Sequence, residues 1–159
     1  MKIKDIFPIL EEMAPLAYAE DFDNVGLLVG NPENDATGIL VCHDALESVI
    51  DEAIAEKCNL VVCFHPILFS GLKRITAKSY VERAIIKAIK NDIAIYAVHT
   101  ALDNHQDGVN KVFCKALGLT NTKYLPKFSQ TLKCEVFLLH HRSSLNTAMD
   151  RDRALRILH

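Results

Sequence analysis

Apolar residues recur along this chain in two rhythms. Leu46, Val49, Ile50, Ala53 and Ile54 fall at i, i+3, i+4, i+7 and i+8. Val81, Ala84, Ile85, Ala88 and Ile89 repeat that spacing, and so do Val109, Val112, Phe113, Ala116 and Leu117. Each set forms one stripe along a helix, as expected of helices that cover a sheet. Ile3, Ile6, Phe7 and Leu10 predict a fourth helix, with its start blurred by Pro8. Between the stripes lie short, unbroken apolar runs at 38–42, Leu60–Cys63 and 93–98, with an earlier one at Gly26–Val29. Runs of this kind predict strands buried on both faces, as in a parallel sheet between helices.

Local signals bound the helices. Ser79 with Glu82 has capping-box spacing, and Asp44 with Glu47 has it too. Asp107 stands where a cap would precede the third stripe, and Gly118 follows its end. The order β-α-β-α-β-α predicts an α/β fold, an open and mainly parallel sheet flanked by helices with right-handed crossovers. A last strand is expected at 131–139, after Pro126.

Composition narrows the class. The chain has 159 residues, half of them apolar and 24% charged, so it can bury a core. A net charge of −2 and a pI near 6.4 make nucleic acid an unexpected partner. Residues 1–12 mix Lys2, Lys4, Asp5, Glu11 and Glu12 with apolar positions, so no signal peptide is expected there. No run approaches the roughly 20 apolar residues of a membrane span, and the expected location is the cytoplasm. Five cysteines without a C-x-x-C pair fit that address as small core residues rather than zinc or redox groups.

The chemistry is expected where the strands end, because open α/β sheets bind ligands outside their carboxyl edge. The first central strand runs into His43 and Asp44, the second into His65 and Pro66, the third into His99, with Asp103 four residues on. Imidazoles and carboxylates at one edge point to a metal site or an acid–base site. Asp44 reads as a helix cap rather than a ligand, and His43 as a residue that merely ends its strand. Asp103 can serve Thr100 in a local turn. His65 is harder to explain structurally, since it lies in an apolar loop where an unpartnered imidazole is costly. Arg83, Lys87 and Lys90 oppose the apolar stripe of their helix and read as a solvated face, whereas Lys73 and Arg74 are placed to meet a phosphate. The chain carries no G-x-G-x-x-G, G-x-x-x-x-G-K-[ST] or G-x-S-x-G pattern.

Several segments in order resemble one family. They are Asp23-Asn24-Val25-Gly26-Leu27 with Val29-Gly30, then Phe64-His65-Pro66-Ile67-Leu68-Phe69, then Val98-His99-Thr100-Ala101-Leu102-Asp103, and Gly108-Val109-Asn110. Together they resemble the GTP cyclohydrolase 1 type 2 homolog family, also called Nif-three-like, over residues 1–125. The resemblance implies a metal-dependent hydrolase acting on a nucleotide or related heterocycle, in subunits that form a homohexameric ring. It implies His65 and Asp103 as metal ligands, with His99 beside them in a catalytic role, orienting a ligand or assisting proton transfer. The cofactor it implies is a divalent metal (zinc, iron or manganese). The family motif reads His-His-Pro where this chain has Phe64-His65-Pro66, so one ion rather than two is expected. The alternative is an inactive, ring-forming assembly or regulatory module with a degenerate metal site.

The family's remaining ligands, a His and a Glu, belong to a C-terminal segment, so a truncated or frame-shifted sequence is expected. Residues 126–159 are read as the start of a further module with an atypical tail, and His140-His141 as unrelated to the metal motif.

Overall fold

The computed structural model describes residues 1–122. The strand expected at 131–139 and the tail lie outside the described residues. The chain divides into two compact units, Met1–Val109 and Asn110–His159. Among the described residues, the groups that gather at the site lie in the first.

That unit opens with a 3-10 turn at Ile3–Ile6 that runs into helix α1 (Phe7–Met13), with Pro8 in its first turn. Pro is tolerated there because the first helical N–H groups have no partner inside the helix. A second 3-10 turn (Leu16–Tyr18) leads to strand β1 (Gly26–Val29). Then follow β2 (Ile39–Cys42), α2 (Glu47–Ala55), β3 (Leu60–Cys63), α3 (Tyr80–Lys90), β4 (Ala94–Ala97) and the short helix α4 (His99–Asp103). Helix α5 (Val109–Ala116) begins directly after Gly108, one residue beyond the expected cap Asp107.

The sheet order is β1-β4-β3-β2. Strands β2, β3 and β4 are parallel and in register, with Cys42, Cys63 and Ala97 level at their carboxyl ends. This is the mainly parallel α/β sheet expected. Strand β1 runs the other way against β4, pairing Gly26 with Ala97. The amino end of β1 therefore arrives at the edge where the other three strands finish.

Two apolar layers sandwich the sheet. On one face Ile50 and Ala53 of α2 and Ala84, Ile85 and Ala88 of α3 pack on Val61, Cys63, Ile95 and Ala97. On the other, Ile3 and Ile6 pack on Leu60, Val62, Ala94 and Tyr96. The alternation along β3 and β4 thus feeds both layers, and both strands are fully buried, as unbroken apolar runs require. Strand β2 departs from that expectation. It is an edge strand, and Ile39 and Val41 are exposed because the 3-10 turn and α1 cover only the middle of their face.

Helix ends follow the local signals in part. The Ser79 hydroxyl accepts from Glu82 N–H at 3.2 Å and donates to the Glu82 carboxylate at 3.1 Å. That carboxylate also accepts the Thr76 and Lys78 N–H groups at 2.6 and 3.1 Å. Lys57, Asp92 and Gly118 adopt positive φ just past α2, α3 and α5. In each case the next N–H closes on a carbonyl five residues back: Cys58 on Ala53, Ile93 on Ala88, Leu119 on Cys114. Arg83 and Lys87, expected on a solvated face, instead reach α2, bonding Glu47 at 2.8 Å and Asp51 at 2.7 Å.

Of the four cysteines among the described residues, none is paired. Burial pushes the thiol of Cys42 up to about 11 and that of Cys63 up to about 12, so both stay protonated near neutrality.

Candidate metal centre

The level ends of β2, β3 and β4 set up the site. Hydrogen bonding continues past the strands: Phe64 N–H to the Cys42 carbonyl, His65 N–H to that of His43, and His99 N–H to that of Phe64. These bonds hold the backbones of three loops side by side, and the imidazoles gather accordingly. The rings of His43 and His65 lie 4.4 Å apart between centroids, and those of His65 and His99 5.4 Å apart. Phe64 sits among them, stacked nearly parallel on His43 at 5.4 Å and edge-on to His99.

Two carboxylates organise these rings. Asp44 accepts from His65 Nδ1 at 2.8 Å and from His43 Nδ1 at 3.0 Å, one ring on each oxygen. Those bonds, the His65 one first, hold its carboxyl below the usual range. The reading of Asp44 as a helix cap is corrected here: Leu46 occupies the cap position of α2, and α2 has no side-chain cap. A carboxylate committed to two imidazoles cannot also reach back to the helix. His43 is likewise part of the cluster rather than a bare strand end. One donor atom each from His43, Asp44 and His65 lies within 4.8 Å of the others, a grouping that could hold a metal ion.

Asp23 is the second organiser. It precedes β1, and the antiparallel pairing of β1 with β4 delivers it to His99. Its carboxylate accepts from His99 Nδ1 at 2.9 Å, from Thr100 N–H at 3.1 Å, from Asn24 N–H at 2.8 Å, and from the Thr100 hydroxyl. The side chain has no exposed surface. Burial is the largest single influence and pushes its carboxyl upward, yet these donors together outweigh burial and hold it below the ordinary value. An Nδ1–H given to Asp23 leaves the His99 Nε2 lone pair free to accept a proton or a ligand. The Thr100 hydroxyl in turn accepts from Glu20 N–H at 3.0 Å. Thr100 is therefore served by Asp23.

Asp103 closes α4 one turn after His99, on the same helical face. It is half-buried, and burial pushes its carboxyl up; the charge of His99 opposes that, Asp23 adds to it, and His65 opposes it. Asp103 thus belongs to the electrostatic neighbourhood of His65 and His99. Lys73 and Arg74 lie on the exposed connection between β3 and α3. Phe69 faces His99 edge-on at 6.4 Å and meets Phe22 at the same separation, so an aromatic pair stands beside that imidazole.

Of the residues singled out from sequence, the structure sets the rings of His65 and His99 beside each other with Asp103 in their electrostatic reach, and it adds Asp23, Asp44 and His43. Asp23 was visible in sequence only as part of a motif, since nothing local announced that its strand runs antiparallel.

Fold and side-chain cluster define an open α/β domain with imidazoles and carboxylates at the carboxyl edge of its parallel strands. The chain belongs to the Duf34/NIF3 (NGG1p interacting factor 3) family, whose model matches residues 1–153. That match reaches beyond residue 125 into the tail that had shown no resemblance. The GTP cyclohydrolase 1 type 2 homolog of Clostridium acetobutylicum is 41% identical over 133 residues, covering 84% of this chain and 50% of its own. NIF3-like protein 1 of Rattus norvegicus is 39% identical over 124 residues, covering 77% of this chain and 33% of its own. The chain therefore spans half or less of these relatives. Among solved structures, a Bacillus cereus protein related to NIF3 superposes with a TM-score of 0.76 at 37% identity, covering 80% of this chain and 35% of its own. Reduced HcgD from Methanocaldococcus jannaschii gives 0.73 at 30% identity, covering 80% and 51%. Among the described residues, no helix is long and apolar enough to cross a membrane.

Proposed function

We propose that this chain carries the divalent-metal site of a hydrolase that acts on a nucleotide or related heterocycle. One observation carries the reading: the neighbouring ends of β3 and β4 bring His65, His99 and Asp103 to one edge, with the enclosed side chain of Asp23 fixing the His99 ring. The donor chemistry fits a divalent ion, since imidazole nitrogen and carboxylate oxygen are the ligands that zinc, iron and manganese accept. His65 and Asp103 would hold the ion. A bound divalent ion polarises an electrophile and lowers the pKa of its water toward neutrality.

The chain's own residues supply the rest. Asp23 keeps the Nδ1 proton on His99, so Nε2 can take a proton from an attacking water or orient a bound ligand. Burial makes Asp103 easier to protonate than a surface carboxylate, which binding to a cation reverses. Phe22 and Phe69 offer apolar ring faces beside His99, suited to a flat heterocycle. Lys73 and Arg74 follow on an exposed segment suited to a phosphate. The exposed apolar residues Ile39 and Val41 on edge strand β2 support assembly with further copies of the chain, as a ring. Residues 1–125 would form the metal-site domain, and 126–159 would begin a further module.

The test is hydrolysis of GTP and other nucleoside triphosphates by chelator-treated protein with and without added divalent metal. Turnover that requires metal and disappears in Asp103→Ala is expected. Turnover that persists without metal, or that survives Asp103→Ala, refutes the reading. A second reading, a non-catalytic ring module, rests on Phe64, whose ring has no donor atom at the centre of the cluster. It predicts intact assembly with no metal-dependent turnover on any substrate.

A further inference from the structure

We infer that His43 is a metal ligand, so that a single divalent transition-metal ion binds between β2 and β3 on His43, Asp44 and His65. The inference rests on the metal reading above, keeps His65 as the ligand common to both, and takes His43 and Asp44 in place of Asp103.

Four observations on the molecule lead there. First, the three residues each offer a donor atom, and all three atoms lie within 4.8 Å of one another. Ligands about 2.1 Å from a zinc or iron ion stand roughly 3 to 3.5 Å apart, so side-chain rotations of about an ångström close the set. Asp44 already stands between the two rings, one oxygen 2.8 Å from His65 Nδ1 and the other 3.0 Å from His43 Nδ1.

Second, the set has the count and chemistry of an open site. Two imidazoles and one carboxylate supply three protein ligands, which leaves a position for water, and this combination suits zinc or iron(II). Calcium and magnesium prefer oxygen donors and are disfavoured.

Third, the site is reachable. The side chains of His43, Asp44 and His65 are 69%, 48% and 42% exposed, so an ion from solvent can enter without opening the core. A purely structural purpose explains an exposed pair of imidazoles on one carboxylate poorly, since solvated ion pairs contribute little to stability.

Fourth, the neighbouring ring at 64 cannot ligate, yet it orders a residue that can. Phe64 stacks on His43 with an 11° interplanar angle, which limits the freedom of an otherwise exposed imidazole. An imidazole arriving from β2 thus compensates for the missing donor on β3. With the ion bound, Asp44 would turn from acceptor of two ring N–H groups to ligand, and each neutral imidazole would carry its proton on Nε2 while Nδ1 binds.

The experiment is titration of the chelator-treated full chain with zinc(II) and with cobalt(II), reading stoichiometry, affinity and the visible cobalt spectrum. One ion per chain is expected. His43→Ala and His65→Ala should each weaken binding by at least about 100-fold, more than loss of an outer-shell partner does. His43→Gln, similar in size and polarity, should fail in the same way, and its melting temperature without metal should match that of the unsubstituted chain. X-ray absorption on the zinc form should count two imidazoles, falling to one in the His43 variants. Binding that is undiminished in His43→Ala but lost in His65→Ala and Asp103→Ala overturns this ligand set and leaves the metal reading standing. No zinc or cobalt bound by the unsubstituted chain overturns both.

Discussion

Replacing Asp23 by Asn tests whether a buried carboxylate locks the two sides of the site together. Its side chain has no exposed surface and accepts from His99 Nδ1, Asn24 N–H, Thr100 N–H and the Thr100 hydroxyl. Asparagine keeps the shape but removes the charge, and its amide group turns two N–H donors toward groups that are themselves donors. A hydrogen bond to a charged group contributes roughly 1.5–3 kcal/mol, and a stranded buried donor costs about 1–3 kcal/mol. The carboxylate's own desolvation, the largest influence on its titration, offsets part of this. A net loss of about 3 kcal/mol follows, or roughly 12–24 °C in melting temperature for a domain near 100 residues.

The pH dependence has a definite sign. The folded carboxyl titrates below its ordinary 3.8, so its contribution is complete above that value and drains away as pH falls through the folded one. The gap between native chain and variant should therefore be full at pH 7 and shrink below about pH 4. Urea unfolding followed by circular dichroism at pH 7 and pH 3 measures both. A variant within about 0.5 kcal/mol of the native chain at pH 7, the ordinary range of surface substitutions, refutes the reasoning. So does a gap that widens in acid.

Two more predictions concern the frame around the site. Gly30 has φ +98°, and a Cβ there would meet Ala94 Cα at 2.6 Å, so Gly30→Ala should cost about 2–4 kcal/mol in urea unfolding, while Gly71→Ala, with nothing within 4 Å, should cost little. Glu82 is held down to about 2, first by Thr76 N–H and then by Lys78 N–H. Its stabilisation should be whole above its ordinary 4.5 and fade as pH falls toward about 2, so Glu82→Gln should flatten the acid limb of a melting-temperature profile.

Much of this domain was legible along the chain because its determinants are local. The stripes on α2 and α3 name the residues that face the sheet, and unbroken apolar runs name β3 and β4 as its buried centre. The Ser79 cap and the stop after α5 needed only neighbours a few residues away. The edge at which His65, His99 and Asp103 would gather followed from the rule that parallel strands end together.

The tertiary structure decided what depends on contacts distant in sequence. Whether Asp44 caps α2 or grips two imidazoles turns on His65, 21 residues away, reaching it across the register of β2 and β3. Asp23 meets His99 76 residues later only because β1 is antiparallel, and strand direction leaves no mark in a four-residue apolar run. The exposure of Ile39 and Val41 is likewise a property of sheet order: their run resembles that of β3, but among the described residues β2 has no strand beyond it. Hydrophobic rhythm specifies which face of an element is buried. Which carboxylate finds which imidazole is set by the register and direction in which those elements pair.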